Sequence, residues 1–442
     1  MTIRMDEGAA ELLDTLHRAG YAAYVVGGCV RDSLLGLTPH DWDLCTSALP
    51  QQGMELFGEE KCIPTGLQHG TVTVRQGGGL YEITTFRTEG TYTDGRHPDE
   101  VHFVPDVRED LARRDFTINA MAYNEKEGLV DPFGGQTDLQ SGILRAVGVP
   151  HQRFTEDALR ILRLYRFAAR FGFSIDPPTA QAAQELCAHL DCVSVERIEE
   201  ELAKLLSAPA PAAYLDEKIL GVVLPELSPE ALAAAKPVVD ACPAGERALP
   251  VRLAALLLSL GEDGTRRTLR RLRCSNACIE ETAVLVREAV PGVPGAFSSD
   301  TNRAIPSPAL LPAATGSHPS GRSSEKLPAR PPVSLNIYTR KLLGQYGLKT
   351  VQRLAALGTA LQPEHAADFA ALSELAEQLD ADGVCCRVSQ LAVNGRDLMA
   401  AGVPSGPGIR KVLEALLDGV IREEYPNERQ ALLTAVQQLD AS

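Results

Sequence analysis

Residues 21–46 read YAAYVVGGCVRDSLLGLTPHDWDLCT, and this stretch decides the fold of the N-terminal part of the chain. The apolar run before Gly27 and Gly28 is typical of a strand, and residues 33–37 follow a helical pattern. Paired glycines let backbone N–H groups approach a phosphate closely, and the start of a helix adds partial positive charge. The segment therefore predicts either a phosphate-binding turn or a plain strand–turn–helix unit.

The same stretch ends in two carboxylates separated by one residue. If they lie on a strand, Asp41 and Asp43 point to the same face, because side chains alternate along a strand. Two adjacent carboxylates repel each other unless a cation lies between them, and hard oxygen ligands at this spacing suit Mg²⁺. An Asp-x-Asp sequence alone is also common among surface acids. Placed shortly after the glycine pair, it predicts a triphosphate cradle next to a metal site.

Composition restricts the class of protein. The chain has 442 residues, 44% hydrophobic and 23% charged, which is typical of a soluble protein of about two to four domains. No apolar run approaches the ~18 residues that span a membrane, and the acidic N-terminus is unlike a signal peptide, so we expect a cytoplasmic protein. The ten cysteines lack zinc-ligand spacing and are expected to be reduced. With a net charge of −15, any contact with nucleic acid must use local basic patches.

The sequence pattern changes near residue 150. Short β-rich runs broken by glycine precede it, and Ala-, Leu- and Glu-rich stretches with helical periodicity follow it, for example residues 156–171 and 195–206. We therefore expect an α+β head followed by a nearly all-helical remainder. Residues 298–333 are rich in Pro, Ser, Ala and Gly and are interpreted as a mobile loop or linker.

LARRDFTINAMA, at residues 111–122, places charged side chains before an apolar segment predicted to be helical. The guanidinium groups of Arg113 and Arg114 suit phosphate and ribose, and Asp115 and Asn119 lie four residues apart on one helical face. The alternative is a capped helix with surface arginines. DPFGG, at residues 131–135, is interpreted as a structural turn.

RFTEDALRILRLYRFAAR, at residues 153–170, predicts a helix that Thr155 caps. Asp157 and Arg160 are three residues apart and share one face of this helix, either as an intrahelical salt bridge or as a pair that binds a ligand. The remaining arginines wind away from that face and give the segment a basic surface.

Together and in this order, the motifs resemble the class II tRNA nucleotidyltransferase and bacterial poly(A) polymerase family of the DNA polymerase beta superfamily. The resemblance implies a head with a mixed five-stranded sheet, followed by a helical neck, body and tail. The matching stretches are GGCVRDSLLG, HDWDLCT, YEITTFR, YTDGRHPDEVHF, RRDFTINAMAYN, DPFGG, RFTEDALRILRLYRFAARFGF and SVERIEEEL, with a weaker match in NGRDLMAAGVPSGPGIRKVLEALL.

The resemblance also implies roles for individual residues. Asp41 and Asp43 hold two Mg²⁺ ions, and Glu82 is a candidate for a further supporting acid, although strand alternation gives it Leu80 and Thr84 as neighbours on its face. Asp157 and Arg160 select the base. The nucleotide-binding set is completed by Gly27, Gly28, Arg31, Arg113, Asp115, Asn119, Arg163 and Arg166.

The Asp157–Arg160 pair gives a physical basis for choosing the base. Cytosine and adenine both present an amino donor beside a ring acceptor, whereas uracil and guanine present a carbonyl acceptor beside a ring N–H donor. A carboxylate that accepts from the amino group and a guanidinium that donates to the ring nitrogen therefore fit C and A only. With U or G both charged groups face like partners, at a cost of several kcal/mol.

The expected activity is template-independent addition of C-C-A to the tRNA 3′ acceptor end from CTP and ATP, with no obligate protein partner evident. IPTGLQHGTVTV, at residues 63–74, and the intact loop GTYTDGRHPDEV, at residues 90–101, favour CCA addition. The alternatives are a poly(A) polymerase, an enzyme that adds only A or only C, and a non-catalytic RNA-binding protein.

The expected segments are a catalytic head (1–150), a neck that recognises the base (151–214), a body (215–297), an insertion (298–333) and a tail that binds tRNA (334–442). Basic residues outside the nucleotide site are candidates for RNA contacts, with solvated surface as the alternative. They are Arg170, Arg266, Arg270, Arg396, Arg410 and Lys411.

Overall fold

The structure is a computed structural model that describes residues 2–90, 101–289 and 335–439. The central part of the loop predicted at residues 90–101 and the whole predicted linker at residues 298–333 lie outside the described residues. Within the described ranges, no helix is both long and apolar enough to cross a membrane.

The first 150 residues fold as an α+β unit, which confirms the expected fold class. Its helices are α1 Glu7–Arg18, α2 Gly28–Leu34, α3 Pro50–Phe57, α4 Val107–Ala112 and α5 Gly135–Ser141. Its strands are β1 Ala23–Val26, β2 Leu44–Thr46, β3 Cys62–Gly66, β4 Thr71–Gln76, β5 Gly79–Thr85, β6 Arg87–Glu89, β7 Val101–Phe103, β8 Ala122–Asn124, β9 Gly128–Val130 and β10 Ile143–Leu144.

The main sheet has seven strands in the order β3-β4-β5-β2-β1-β8-β9. It is mixed, because β2 and β5 run parallel while the other neighbouring pairs are antiparallel. The resemblance implied five strands. The sheet is larger because the hairpin of β8 and β9 extends one edge beyond β1, while the hairpin of β3 and β4 extends the other edge beyond β5.

Two local expectations for the head are wrong. Asp41 and Asp43 do not lie on a strand, because β2 begins at Leu44, although the Asp43 carbonyl still accepts a hydrogen bond from the Val26 N–H at 2.9 Å. The helix expected after Asp115 is only the short 3-10 turn Thr117–Asn119, because the chain then enters the sheet as β8.

The remainder of the described chain is helical, apart from the short strand β11 Ser174–Ile175, which pairs in parallel with β10. The helices up to residue 289 are α6 Pro150–Glu156, α7 Leu159–Phe171, α8 Pro177–Leu186, α9 Val195–Leu206, α10 Glu217–Val223, α11 Pro229–Ala241, α12 Leu249–Leu257, α13 Gly261–Arg271 and α14 Asn276–Ala289. Those after residue 334 are α15 Leu335–Tyr346, α16 Leu348–Leu361, α17 Ala366–Ala381, α18 Gly395–Ala400, α19 Pro407–Ile421 and α20 Arg429–Leu439.

The single helix expected over residues 156–171, with Thr155 as its cap, is also wrong. α6 ends at Glu156, Asp157 has an extended backbone with φ −145° and ψ 102°, and α7 begins at Leu159. The Asp157 carboxylate accepts the Leu159 N–H at 3.1 Å. A side chain that bonds to the neighbouring backbone in this way competes with helix continuation, so the break lies at the residue that the sequence placed inside a helix.

The chain divides into two compact units. One comprises Met1–Lys236, Ala244–Glu246 and Arg270–Cys274, and the other comprises Pro237–Pro243, Arg247–Leu269 and Ser275–Ser442. The five segments expected from the sequence divide the chain more finely and stay a prediction. Every polar group of the candidate site described below belongs to the first unit, so its geometry is set within that unit.

Candidate active site

The turn between β1 and α2 requires glycine at its first position. Gly27 has φ +78°, and a Cβ added there would lie 2.8 Å from Nη1 of Arg114. The Gly27 N–H donates to the Met121 carbonyl at 3.0 Å, which fixes the turn against the start of β8. The turn therefore brings backbone, without a side chain, directly against a guanidinium group, as a phosphate-binding turn requires.

Three carboxylates lie near the start of β2 and on the neighbouring strand β5. Asp43 precedes β2, and Glu82 is on the neighbouring β5, where the parallel register pairs Leu44 with Ile83. The alternation along β5 leaves Glu82 exposed while Tyr81 and Ile83 are buried, so the face expected for Glu82 is confirmed. Asp41 points outward, with its side chain 84% exposed and the His40 ring nitrogen 3.1 Å from its Oδ1.

The electrostatics at Asp43 are those of a site that lacks positive charge. Partial removal from water raises the pKa of the Asp43 carboxyl, and the negative charge of Glu82 raises the pKa further, against the opposing effect of Arg114. Within the described residues, neither Asp43 nor Glu82 accepts a side-chain hydrogen bond or forms an ion pair. Two such carboxylates side by side are costly without a cation, and their oxygen atoms are the ligands that Mg²⁺ prefers.

Carboxylate oxygens suit a hard cation such as Mg²⁺, but the carboxylates of Asp41, Asp43 and Glu82 do not converge on one point. In the described parts of the chain, no three side chains of His, Cys, Asp or Glu form a group that could hold a metal ion. Asp43 and Glu82 are adjacent across the register of β2 and β5, whereas Asp41 would need to turn inward from its exposed position to join them.

Arg31, expected to contact the triphosphate, has its guanidinium group in the protein interior. The residue is 4% exposed. Its Nε donates to Asp32 at 2.7 Å and its Nη1 donates to the Asn119 side-chain oxygen at 2.5 Å. The guanidinium carbon lies 5.2 Å from the ring centre of Phe167 and 4.9 Å from that of Phe171. Its triphosphate role stays a prediction, and the contacts made here hold α2 against α7.

Asp115 is held by four hydrogen bonds. Its Oδ1 accepts from the Phe116 N–H at 2.8 Å and from Asn119 at 3.0 Å, and its Oδ2 accepts both Nε and Nη2 of Arg163, at 3.0 and 2.7 Å. Burial alone would raise the pKa of Asp115, but Arg163, the Asn119 hydrogen bond and Arg160 outweigh it, and the pKa is well below its usual range. Asp115 and Asn119 therefore do meet, as the sequence predicted.

Arg163 and Arg166 lead from Asp115 to a residue that the sequence reasoning missed. Glu201, on α9, is 5% exposed and lies 3.6 Å from Nη1 of Arg163 and 2.5 Å from Nε of Arg166. Arg166 also packs its guanidinium carbon 3.8 Å from the ring centre of Phe167. Arg163 therefore fastens α7 to Asp115 of the head and Arg166 fastens α7 to α9, and any contact they make with a nucleotide stays a prediction.

Asp157 and Arg160 bind other partners rather than each other, so the intrahelical salt bridge considered for them is not formed. Asp157 accepts two hydrogen bonds from Arg197 on α9, at 3.3 and 2.8 Å. Arg160 donates to Glu156 at 2.7 Å and to two backbone carbonyls, those of Arg153 at 3.1 Å and Arg113 at 3.0 Å.

These bonds leave both groups with capacity for a ligand. Nε–H and one Nη2–H of Arg160, and one lone pair of the Asp157 Oδ2, are not used by the bonds described. Arg197 was missed as a site residue, although SVERIEEEL was recognised as a motif. The sequence did contain a signal for Arg197, because Glu201 follows it four residues later on the same face of a predicted helix.

The arginine beside the glycine turn is Arg114 rather than Arg113. Besides its approach to Gly27, Arg114 is the cation that lowers the pKa of Asp43. Its Nη2 bonds to Asp110 at 3.4 Å, and its buried Nε has no hydrogen-bond partner among the described residues. Arg113 is held by Asp110 through Nε and Nη2, at 3.0 and 2.8 Å. Consecutive arginines point to different places, which their spacing alone does not reveal.

The six candidates for RNA contacts fall into two groups. Arg170 bonds to Asp32 at 3.3 Å, Arg266 pairs with Glu262 and Glu280, and Arg410 pairs with Glu414 at 2.8 Å. The others have exposed side chains without an ion pair among the described residues. These are Arg270, Arg396 and Lys411.

Comparison with known families defines the class of protein. Residues 23–145 match the "Poly A polymerase head domain", residues 172–230 match the "Probable RNA and SrmB- binding site of polymerase A", and residues 336–436 match domain 2 of the tRNA nucleotidyltransferases. The glycine turn, Asp41 and Asp43 before β2, and Glu82 on β5 all lie within the first of these matches. The chain is therefore a nucleotidyltransferase.

Relatives that match nearly the whole chain identify the family within the nucleotidyltransferases. The CCA-adding enzyme of Lactiplantibacillus plantarum is 35% identical over 437 residues, covering 97% of this chain and 95% of its own. That of Limosilactobacillus fermentum is 36% identical over 442 residues, covering 98% and 97%. The crystal structure of the Bacillus stearothermophilus CCA-adding enzyme in complex with CTP matches with a TM-score of 0.77 and 29% identity, covering 99% and 98%. This chain belongs to the CCA-adding enzyme family.

Proposed function

We propose that this protein adds the C-C-A sequence to the 3′ acceptor end of tRNA from CTP and ATP, with Mg²⁺ and without a nucleic-acid template. The observation that carries the proposal is a pair of carboxylates near the turn at Gly27, Asp43 and Glu82, which have no side-chain partner among the described residues. The full-length similarity to CCA-adding enzymes supports the choice of reaction, and the match of residues 336–436 to a tRNA nucleotidyltransferase domain supports tRNA as the acceptor.

The metal would be held by Asp43 and Glu82, with Asp41 completing the set after turning inward. When bound, Mg²⁺ lowers the pKa of the attacking RNA 3′-hydroxyl and neutralises charge on the pyrophosphate leaving group. The chain supplies the rest of the phosphate site. The backbone at Gly27 and Gly28 leaves room for phosphate oxygens, and Nη1 of Arg114, which lies against Gly27, would donate to them.

Base selection is proposed for Asp157 and Arg160. Arg197 holds the Asp157 carboxylate by two bonds, and this leaves one lone pair to accept from the amino group of C or A. Three anchors hold Arg160, so that its remaining N–H groups donate to the ring nitrogen. A pair fixed by so many bonds cannot turn to suit U or G, and a fixed pair discriminates more strongly than a mobile one.

The cellular location is proposed to be the cytoplasm. All ten cysteines fall within the described residues and none is paired in a disulfide, as is usual where thiols are kept reduced.

The test is incubation of the purified protein with Mg²⁺, CTP, ATP and a tRNA transcript that ends at the residue before CCA. Addition of three nucleotides, with the sequence CCA, is the expected result. A long A tract would select a poly(A) polymerase, addition of only A or only C would select a single-specificity enzyme, and no addition would select the non-catalytic RNA-binding alternative.

Two variants test the proposed metal ligands in the same assay. Asp41→Ala and Asp43→Ala should eliminate addition of every nucleotide, because each removes a proposed metal ligand. Asp14→Asn is the matched control, since Asp14 is a 54% exposed carboxylate paired with Arg18 on α1. It should keep the activity of the unchanged protein.

A further inference from the structure

One buried carboxylate in the head has no role in the mechanism above. Asp110 is in α4 and has an exposure of 0%. Its Oδ1 accepts Nε and Nη2 of Arg113 and the backbone N–H of Arg87 at 3.3 Å, and its Oδ2 accepts Nη2 of Arg114 at 3.4 Å. Burial alone would raise the pKa of Asp110, but the two arginines and their hydrogen bonds lower it, so the group is ionised.

The two arginines held by Asp110 lead to opposite ends of the proposed nucleotide site. Arg114 reaches the Gly27 turn and acts electrostatically on Asp43, which is the phosphate and metal end. Arg113 carries, on its backbone carbonyl, one of the three anchors of Arg160, which is the base end. The carboxylate of Asp110 therefore holds both Arg113 and Arg114.

Asp176 shows that burial and pairing with an arginine do not by themselves link a carboxylate to the two ends of the site. Asp176 is 7% exposed and, like Asp110, is paired with an arginine, Arg145, at 2.5 Å. Its remaining bonds go to Thr179 and cap α8. None of these partners touches the phosphate end or the base end, so Asp176 provides a comparison with similar burial and charge.

We propose that Asp110 is a positioning residue that aligns the triphosphate-binding Arg114 with the base-selecting Arg160 through Arg113. The inference rests on the proposed function, because it assigns the two ends by the roles given there. Loss of the carboxylate leaves two adjacent guanidinium groups without their shared counter-ion, and the two separate by repulsion. Arg114 then leaves the glycine turn, and the Arg113 carbonyl shifts away from Arg160.

The experiment measures nucleotide addition by Asp110→Asn on tRNA lacking CCA, with Asp176→Asn as the matched control. We expect the KM for CTP and for ATP to rise at least about tenfold, equivalent to about 1.4 kcal/mol. Incorporation of UMP relative to CMP should rise by a similar factor. Asp176→Asn should lower the melting temperature while leaving both the KM values and the rejection of UTP within about twofold.

Repeating the replacement in an Arg114→Gln background separates the two routes. Asp110 acts on the KM through Arg114, so Asp110→Asn should then change the KM by less than about twofold. It should still raise UMP incorporation, because that effect passes through Arg113 and Arg160. A merely structural Asp110 would give a lower melting temperature and neither effect.

Specific outcomes overturn the inference. Unchanged KM and unchanged UMP rejection in Asp110→Asn would do so, as would a KM effect of full size in the Arg114→Gln background. If Asp110→Asn does not fold, Asp110→Glu keeps the charge but displaces the carboxylate by about 1.5 Å, one C–C bond, and is expected to show the same two effects. Failure of the unchanged protein to add CCA refutes the proposed function instead, so the two failures are distinguishable.

Discussion

Replacing Asp115 by Asn tests whether the buried ion pair with Arg163 holds the neck helices to the head. The replacement keeps the shape of the side chain and leaves Oδ1 to accept from Phe116 and Asn119. It substitutes an amide for the oxygen that faces Arg163, so that two donor groups oppose each other. We therefore expect a stability loss rather than a change of fold.

The magnitude follows from the burial of the two partners. Removing one member of a buried pair costs about 3–5 kcal/mol, because the other charge is left without a partner. The Asp115 side chain is 9% exposed but that of Arg163 is 33% exposed, so Arg163 recovers some hydration and the lower end applies, about 3 kcal/mol. For a unit of this size each kcal/mol shifts the melting temperature by about 2–4 °C, which gives a loss of about 6–12 °C.

The assay is thermal unfolding followed by circular dichroism between pH 5 and pH 8, with Asp14→Asn as the exposed control. The folded pKa of Asp115 is depressed below its unfolded value of about 3.9, so its contribution is fully present above that value. It is lost only as the pH falls through the folded pKa. The difference between the unchanged protein and Asp115→Asn should therefore be constant from pH 8 to pH 5. A loss below about 2 °C, or a difference that halves across this range, would refute the reasoning.

Three further predictions concern the nucleotide site. Arg197→Gln releases the Asp157 carboxylate and should raise UMP incorporation relative to CMP about tenfold, whereas Arg273→Gln, which breaks an exposed pair with Glu196, should not. Glu82→Gln should weaken Mg²⁺ binding at least about tenfold, measured by the fluorescence of Trp42, the single tryptophan of the chain; an unchanged titration curve would exclude Glu82 as a ligand. Deletion of residues 91–96, outside the described residues, should abolish A addition while CC addition continues, and equal loss of both steps would contradict a role in changing specificity.

The parts of the fold that depend on local pattern could be predicted from the sequence. The α+β head, the helical remainder, the glycine turn and the face occupied by Glu82 all follow from residue spacing along one segment. The break in the helix at Asp157 could not, because apolar periodicity continues through it on both sides. At the break, the Asp157 carboxylate accepts hydrogen bonds from the Leu159 N–H and from Arg197, which lies 40 residues away along the chain. Periodicity carries no information about either bond.

The same limit explains why the site was only partly foreseen. The candidate residues were chosen because their chemistry suits phosphate or a base, and the structure brings most of them into one network. Their acidic partners, Asp110 and Glu201, are distant in sequence or indistinguishable from surface acids in a run of charged residues. The spacing of Arg113 and Arg114 could not show that only Arg114 faces the glycine turn, since that depends on where Asp110 holds each guanidinium group.

The arginine-rich segment at residues 153–170 shows how an apparent nucleic-acid patch can be an internal fastening. Each of its five arginines lies against a carboxylate: Arg153 and Arg160 against Glu156, Arg163 against Asp115, Arg166 against Glu201, and Arg170 against Asp32. In a chain of net charge −15 these arginines are largely neutralised, so the segment does not present the unbalanced positive charge that attracts a phosphate backbone. Exposed basic residues that have no acid partner in the described ranges, such as Arg396 and Lys411, stay the candidates for RNA contacts, and we expect them to give any RNA binding its salt dependence.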